Sequence, residues 1–183
     1  MRVIAGSARS LPLKTPDGKD TRPTSDKTKE TLFNVLMPYL ADCHFLDLFA
    51  GSGGIGIEAV SRGAQYAVFV EKARTAVKCI EDNLQFTKFM PYARIMAMDA
   101  MSALRQLNGR EKFDIIFMDP PYNQELEKDV LTMLATSELL NEDAIIVTEA
   151  SNETDFSYVS DLGLSIWKIK KYKTNSHIFM KKE

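Results

Sequence analysis

The sequence predicts an α/β fold: a mostly parallel seven-stranded sheet with a closing antiparallel hairpin and a small N-terminal β-hairpin/helix extension. Three observations carry this expectation. From residue 43 onward, short apolar runs alternate with amphipathic helical stretches, the pattern of a parallel sheet with helices on both faces and right-handed crossovers. Gly51, Gly53 and Gly56 follow the first run with the spacing that turns a strand tightly into a helix. After Leu162-Gly163 the chain changes to two strand-like runs, Leu164–Lys171 and His177–Lys182, joined by the polar turn Tyr172-Lys173-Thr174-Asn175-Ser176.

At 183 residues the chain is long enough for one such domain with a real core and short for two. A hydrophobic share of 45% and a charged share of 26% place it among globular proteins rather than disordered chains. No apolar run approaches the ~20 residues of a membrane span. The start, Met1-Arg2-Val3-Ile4-Ala5-Gly6, lacks the apolar region of a signal peptide, so a cytoplasmic protein without membrane attachment is expected. Cys43 and Cys79 form no CxxC pair and sit in apolar segments, which suits two buried free thiols. No His/Cys/carboxylate cluster has ligand spacing, so no metal is expected. Neither His44 nor His177 sits in a motif that nominates it for chemistry.

Taken in order, residues 2–5 and 10–14 read as two short strands around the turn Gly6-Ser7-Ala8-Arg9, followed by a loop over residues 15–23. Thr24 or Ser25 can cap the next helix, whose apolar face is Leu32, Phe33, Leu36, Met37 and Leu40. Asp26, Lys27, Lys29 and Glu30 are assigned to its wetter side. Strands are expected at 44–49, 66–71, 93–98, 113–118 and 143–149, with helices at 54–62, 73–88, 100–107 and 124–135. The helix at 73–88 should bury Ala76, Val77, Ile80 and Leu84.

In an open α/β sheet, ligands bind beyond the carboxyl ends of the strands. The first strand ends in Asp47-Leu48-Phe49-Ala50-Gly51-Ser52-Gly53-Gly54-Ile55-Gly56. Gly51 permits the tight turn, Gly53 lets a ligand approach the backbone, and Gly56 lets the helix pack on the strand. Glu71 ends the second strand, where a carboxylate can bind both ribose hydroxyls, and Asp99 ends the third, followed by Ala100. This set fits NAD as well as S-adenosylmethionine. Asp47 favours the second, because a carboxylate there repels a pyrophosphate and attracts an ammonium or sulfonium group.

The fourth strand ends in Asp119-Pro120-Pro121-Tyr122. Proline fixes φ and holds the residue before it extended, so these residues form a rigid strand end. The Asp119 carboxylate and the Pro120 carbonyl can accept the N–H groups of an aryl-type amine. They thereby favour a pyramidal, nucleophilic nitrogen as charge develops during methyl transfer. Tyr122 can stack on a base swung out of its helix or loop.

The chain ends are basic. Residues 1–40 carry a balance of +3 and residues 165–183 one of +5, so a net charge of −2 leaves −10 for residues 41–164. Basic termini around an acidic centre suit a polyanion gripped at its edges.

Asp119-Pro120-Pro121-Tyr122 together with Asp47-Leu48-Phe49-Ala50-Gly51-Ser52-Gly53 resembles the amino-methyltransferases acting on nucleobases. The block Arg22-Pro23-Thr24-Ser25-Asp26-Lys27-Thr28-Lys29-Glu30-Thr31-Leu32-Phe33-Asn34 is more specific and resembles the RsmD family, bacterial enzymes that methylate the N2 amine of one guanine in 16S ribosomal RNA. The resemblance runs over nearly the whole chain. It implies a Rossmann-like class I fold in one domain over 1–183, with residues 1–40 as an RNA-binding extension and 41–183 as the catalytic core. It implies S-adenosylmethionine held by Asp47, Phe49, Gly51, Gly53, Glu71, Asp99 and Ala100, with Asp119, Pro120 and Tyr122 at the guanine amine. Arg2, Arg9, Lys14, Arg22 and Lys27 would grip phosphates of an RNA presented by an assembling 30S subunit, and the enzyme would act as a monomer. Where the family carries a Lys/Arg-Gly pair in the first turn, this chain has Ser7-Ala8-Arg9-Ser10, a difference in the RNA-facing periphery. Other readings are an adenine-N6 DNA methyltransferase, a methyltransferase acting on protein glutamine, an NAD-dependent oxidoreductase and a non-catalytic RNA-binding domain. About forty residues outside the core are few for reading sequence in a duplex groove.

Overall fold

A computed structural model describes residues 1–16, 25–121 and 125–183. Four short strands, β1 (His44–Leu48), β2 (Tyr66–Val70), β3 (Ala93–Met96) and β4 (Phe113–Met118), join the longer β5 (Leu140–Ser151) in the parallel part of the sheet. Their sequences are almost continuously apolar because both faces are covered: residues 45–48 and 67–70 are all buried. The final hairpin, β6 (Leu164–Lys171) and β7 (Asn175–Lys182), adds antiparallel strands and gives the order β3-β2-β1-β4-β5-β7-β6. The expected seven-stranded sheet with its closing hairpin is therefore present.

Helices α1 (Asp26–Leu36), α2 (Gly54–Ser61), α3 (Arg74–Thr87), α4 (Ala100–Leu107) and α5 (Leu126–Thr136) cover the two faces. One core contains Phe45, Phe69, Phe117 and Val147 from the sheet together with residues of α1, α2 and α3. The other contains Leu46, Val68, Ile116 and Ile146 beneath α4 and α5. Alternate residues of each strand thus feed opposite cores, as the pleat requires. Among the described residues, no helix is long and apolar enough to cross a membrane. Cys43 and Cys79 are both buried and free.

Five local expectations change. Residues 2–5 and 10–14 form no extended hairpin, only one bridge between Arg2 and Pro12. The pairing there rests on the Val3 N–H to the Leu11 carbonyl at 3.0 Å and the Leu13 N–H to the Met1 carbonyl at 2.9 Å, and it goes no further because the N–H groups of Ile4 and Ala5 turn to the Glu58 carboxylate at 2.8 and 3.0 Å. The segment packs into the domain, with Val3, Ala8 and Leu13 buried in the first core. Helix α1 starts with a Ser25 cap, its Oγ accepting from the Thr28 N–H at 3.1 Å. It gives way to a 3₁₀ turn at Met37–Tyr39 around Pro38, which turns Met37 out to 48% exposure rather than into the core. Lys29, assigned from the helix pattern to the wet side, is completely buried. In α3, Cys79 and Asn83 join Ala76, Ile80 and Leu84 in the interior, while Val77 is only half-buried. Strand β5 begins at Leu140 rather than 143, because a register shift between Phe113 and Ile115 absorbs the polar Asn141-Glu142-Asp143 stretch.

Candidate active site

The strands β1, β2 and β4 end on one edge, where a cavity of about 750 Å³ opens. Its lining includes Asp47, Phe49, Gly51, Glu71, Asp99, Ala100, Asp119 and Pro120, so eight of the residues expected at the site are brought together. Pro121 lines it too, while Tyr122, the last member of the strand-four motif, lies outside the described residues, as does Arg22.

The loop after β1 is built around its carboxylates. Phe49 adopts φ 66°, a left-handed conformation uncommon for an aromatic residue, and this turns the chain sharply off the strand. The Gly51 N–H donates to Glu71 Oε2 at 2.9 Å, and the Gly56 N–H donates to Asp47 Oδ2 at 3.0 Å. Glu71 is fixed further by the Ala73 N–H on its Oε1 at 2.8 Å. These N–H groups are the ones a pyrophosphate would need, and here two of them are given to acids. Asn83 ties the loop to the N-terminal segment, donating to the Ser52 carbonyl at 2.9 Å and to the Lys14 carbonyl at 3.0 Å.

Gly53 has a different role from the one expected. It caps α2 with φ 78°, and a side chain there would point at Ile80 and Phe69 inside the protein, not at a ligand. Gly54 takes the cavity position instead. Gly56 does what its spacing suggests: a Cβ would stand 2.4 Å from the Phe69 ring, so only glycine lets α2 lie this close to β2.

Asp99 caps α4, accepting from the Ser102 N–H at 2.9 Å, and that bond holds its carboxyl below the usual range. Asp99 and Glu71 both line the cavity, and a carboxylate has more lone-pair directions than these backbone donors fill. Asp47 is 1% exposed, and burial pushes its carboxyl up to about 7 against the opposing pull of the Gly56 N–H. Asp119 is pushed up to about 8, first by burial and then by the charges of Glu149 and Asp47. A cation placed beside these two carboxyls would bring them back toward their ionised form.

Sequence reasoning missed three polar residues at the far side. Glu149, Tyr172 and Asn175 line the same cavity, and His177 stands behind them with no exposed surface. The His177 ring bonds Glu149 Oε2 through Nε2 at 3.0 Å and the Tyr172 hydroxyl through Nδ1 at 3.0 Å. Asn175 Nδ2 donates to Glu149 Oε1. A signal for Glu149 was present, since it ends an apolar run just as Glu71 and Asp99 do. The pairing of β7 with β5 that delivers His177 was not readable.

The basic residues expected to face RNA divide into two kinds. Arg2 pairs with Asp26 at 2.8 Å and Lys14 with Asp82 at 3.0 Å, both on the surface. Arg9 and Lys27 are exposed. Among the described residues, no group of three His, Cys, Asp or Glu side chains is placed to hold a metal ion.

A seven-stranded sheet of this order, with a carboxylate-bound glycine loop and acids along its edge, is a Rossmann-like methyltransferase fold. The family model described as "Conserved hypothetical protein 95" matches residues 1–181. The chain belongs to this family, the RsmD family. Bacillus subtilis (strain 168) YlbH is 42% identical over 156 residues, covering 85% of each chain. The Haemophilus influenzae Ribosomal RNA small subunit methyltransferase D is 36% identical over 154 residues, 84% of this chain and 80% of that one. The solved structure of Escherichia coli yhhF superposes with a TM-score of 0.87 at 32% identity, covering 100% of this chain and 98% of the other.

Proposed function

We propose that the protein methylates the exocyclic N2 amine of a guanine in 16S ribosomal RNA, using S-adenosylmethionine. The observation that carries the chemistry is the row of acids in one cavity, Asp47 beside the glycine loop and Asp119 beyond it, with the Gly51 and Gly56 N–H groups given to carboxylates. The substrate is carried by family membership and by the name of the Haemophilus influenzae relative.

The residues present fit such a donor. Buried Asp47 favours a positive charge, Glu71 keeps lone pairs for ribose hydroxyls, and Asp99 with Ala100 forms the rim of an adenine site. When bound, S-adenosylmethionine supplies an electrophilic methyl group on a cationic sulfur. Asp119 and the Pro120 carbonyl accept the two N–H groups of the target amine and hold its lone pair in line with that methyl. Transfer to that nitrogen would form the N–C bond as the donor's S–C bond breaks, leaving that electron pair on sulfur. The nitrogen, now cationic, passes one proton along its hydrogen bond to the Asp119 carboxylate. Tyr122 stacks on the flipped base, and residues 1–40 present Arg2, Arg9, Lys14, Arg22 and Lys27 to phosphates of the assembling 30S subunit. The enzyme acts as a cytoplasmic monomer.

The test offers labelled S-adenosylmethionine with 30S particles and free 16S RNA from cells lacking this enzyme. Label in N2-methylguanosine is the expected result. Absence of label on guanine in both substrates overturns the proposal, and label on adenine when duplex DNA is offered in a parallel reaction elects the competing reading.

A further inference from the structure

We propose that the groove between α1 and the edge strand β6 binds the single-stranded RNA that flanks the target nucleotide. Trp167 and Tyr39 offer their rings to its bases, and Lys168, Lys170 and Lys181 meet its phosphates. This inference rests on the RNA reading above and adds a contact surface away from the methyl-transfer centre.

An irregularity in β6 builds that surface. A strand alternates its side chains between two faces, so in a regular β6 Trp167 would point away from Lys168 and Lys170. The register against β7 breaks at this point. Ile166 pairs with Met180 and Lys168 with Phe179, which leaves Trp167 as an extra residue. Lys170 then pairs with His177, and the Trp167 ring lies 5.7 Å from the Phe179 ring. All three side chains therefore stand on the face that carries Phe179 in the first core. Ile166 and Ile169 pair instead with Met180 and Ile178 of the second core, so the exposed apolar residues of β6 face the other way.

α1 and its 3₁₀ turn form the opposite wall. The groove encloses about 490 Å³, with Thr31, Asn34 and Tyr39 on one side and Trp167, Lys168 and Lys170 on the other. Tyr39 is 40% and Trp167 37% exposed, with ring centroids 6.5 Å apart. Lys181 Nζ lies 5.4 Å from the Tyr39 centroid and 6.0 Å from that of Trp167, and Lys168 Nζ lies 5.5 Å from Trp167. Among the described residues, none of Lys168, Lys170 and Lys181 forms a salt bridge. Residues 165–183 hold six lysines against one glutamate, so the field along this edge is positive.

The groove continues the mouth of the cavity. Thr28 lines the cavity, and Thr31, three residues further along α1, lines the groove. On the other wall Tyr172 lines the cavity and Lys170 the groove. At about 3.3 Å per residue, Trp167 stands about 15 Å from Tyr172, so a neighbouring nucleotide meets it rather than the target. Exposed rings bordered by cations without acid partners are what a sequence-tolerant single-strand site requires. An apolar protein partner would need Ile166 and Ile169, which lie on the opposite face.

The test first maps the guanine that wild-type enzyme labels. Lys168→Ala combined with Lys170→Ala should raise KM about tenfold and leave kcat within twofold. It should also lower the slope of log affinity against log salt by about 1.4, the amount for two phosphates of a single strand. Trp167→Leu keeps bulk against Phe179 and loses the stacking face, and should raise KM about tenfold, whereas Trp167→Phe stays within threefold. Trp167 is the only tryptophan, so its emission reports this site alone. A single-stranded oligoribonucleotide spanning the mapped guanine should quench that emission. Absence of quenching overturns the inference, as does an unchanged KM and salt slope in the lysine variant. Equal losses in Trp167→Leu and Trp167→Phe overturn it in favour of packing on Phe179. Losses seen with 30S particles but not with the oligoribonucleotide overturn it in favour of a ribosomal protein on this face. In all four cases guanine is still labelled and the function stands. No guanine labelled by wild-type enzyme overturns both.

Discussion

Lys29 Nζ lies 3.2 Å from Glu58 Oε2, and neither side chain has any exposed surface. Glu58 also receives the N–H groups of Ile4 and Ala5 and Arg62 Nε at 2.8 Å, while Lys29 donates to the Arg2 carbonyl at 2.5 Å. One buried carboxylate therefore fastens the N-terminal segment, α1 and α2 to each other beside the cavity. Removing one partner of a buried pair strands the other in a low-dielectric interior. Lys29→Met is expected to destabilise the fold by about 3 kcal/mol, the low end of that range because Arg62 still faces Glu58. Arg2→Ala, which breaks the exposed pair with Asp26, should cost less than about 1 kcal/mol. Urea titration of the two variants measures the contrast, and equal losses would refute it.

Asp47 makes stability depend on pH in an unusual direction. Its carboxyl holds its proton up to about 7 in the folded chain, against 3.8 for an ordinary aspartate. Between those values the unfolded state has released a proton that the folded state keeps, so stability falls as pH rises. The contribution is whole below about pH 4 and gone above about pH 7. Three units correspond to at most about 4 kcal/mol. Asp47→Asn removes the titration, so its stability relative to wild type should climb as pH goes from 4.5 to 8. Denaturation midpoints of the cofactor-free proteins at both pH values decide it, and a constant difference would contradict the burial argument.

Gly56 offers a purely steric test. A methyl group there meets the fully buried Phe69 ring at 2.4 Å, with β2 behind it. Overpacking of this kind costs about 1–3 kcal/mol. Gly56→Ala should lower the melting temperature and weaken cofactor binding together, because the displaced helix carries the glycine loop with it. An unchanged melting temperature would show that α2 shifts freely.

The sequence period made the sheet legible because strands buried on both faces are written as continuous apolar runs, and Gly51, Asp47, Glu71 and Asp119 stand at the ends of such runs. Lys29 was misread for a physical reason: a helix pattern treats every lysine as a solvent residue, and the acid that neutralises it lies 29 positions away on α2. Gly53 shows the same gap, since spacing reveals that glycine is required but not whether a ligand or Ile80 occupies the space beside it. His177 was invisible because its role comes from a strand pairing between Glu149 and residue 177 that local pattern does not encode.

Asp119 must be ionised to accept from the amine, yet burial and its acidic neighbours hold its proton to about 8 in the free protein. A bound cation next to it favours the carboxylate, so the acid limb of kcat should lie below the limb of kcat/KM, which reports the free enzyme. Asp119→Asn keeps the shape and loses one acceptor. Methyl transfer should fall by about a hundredfold to a thousandfold, in the range of lost transition-state hydrogen bonds, while cofactor affinity by calorimetry stays within about tenfold, or 1.4 kcal/mol. Coincident acid limbs, or wild-type turnover in the variant, would remove Asp119 from the amine.

The salt dependence of RNA binding separates the two kinds of surface cation. Each phosphate that the protein no longer neutralises lowers the slope of log affinity against log salt by about 0.7 to 0.9. Arg9 and Lys27 are exposed, so Arg9→Ala and Lys27→Ala should each reduce the slope by nearly that full amount. Arg2 and Lys14 already face Asp26 and Asp82. A phosphate must compete with those acids, and replacing either cation also leaves an uncompensated negative charge near the RNA. Arg2→Ala and Lys14→Ala should therefore weaken binding at low salt while changing the slope less than the other two. Filter binding of 16S RNA across a salt series reads both quantities, and identical slopes for all four variants would take the N-terminal cations out of the RNA interface.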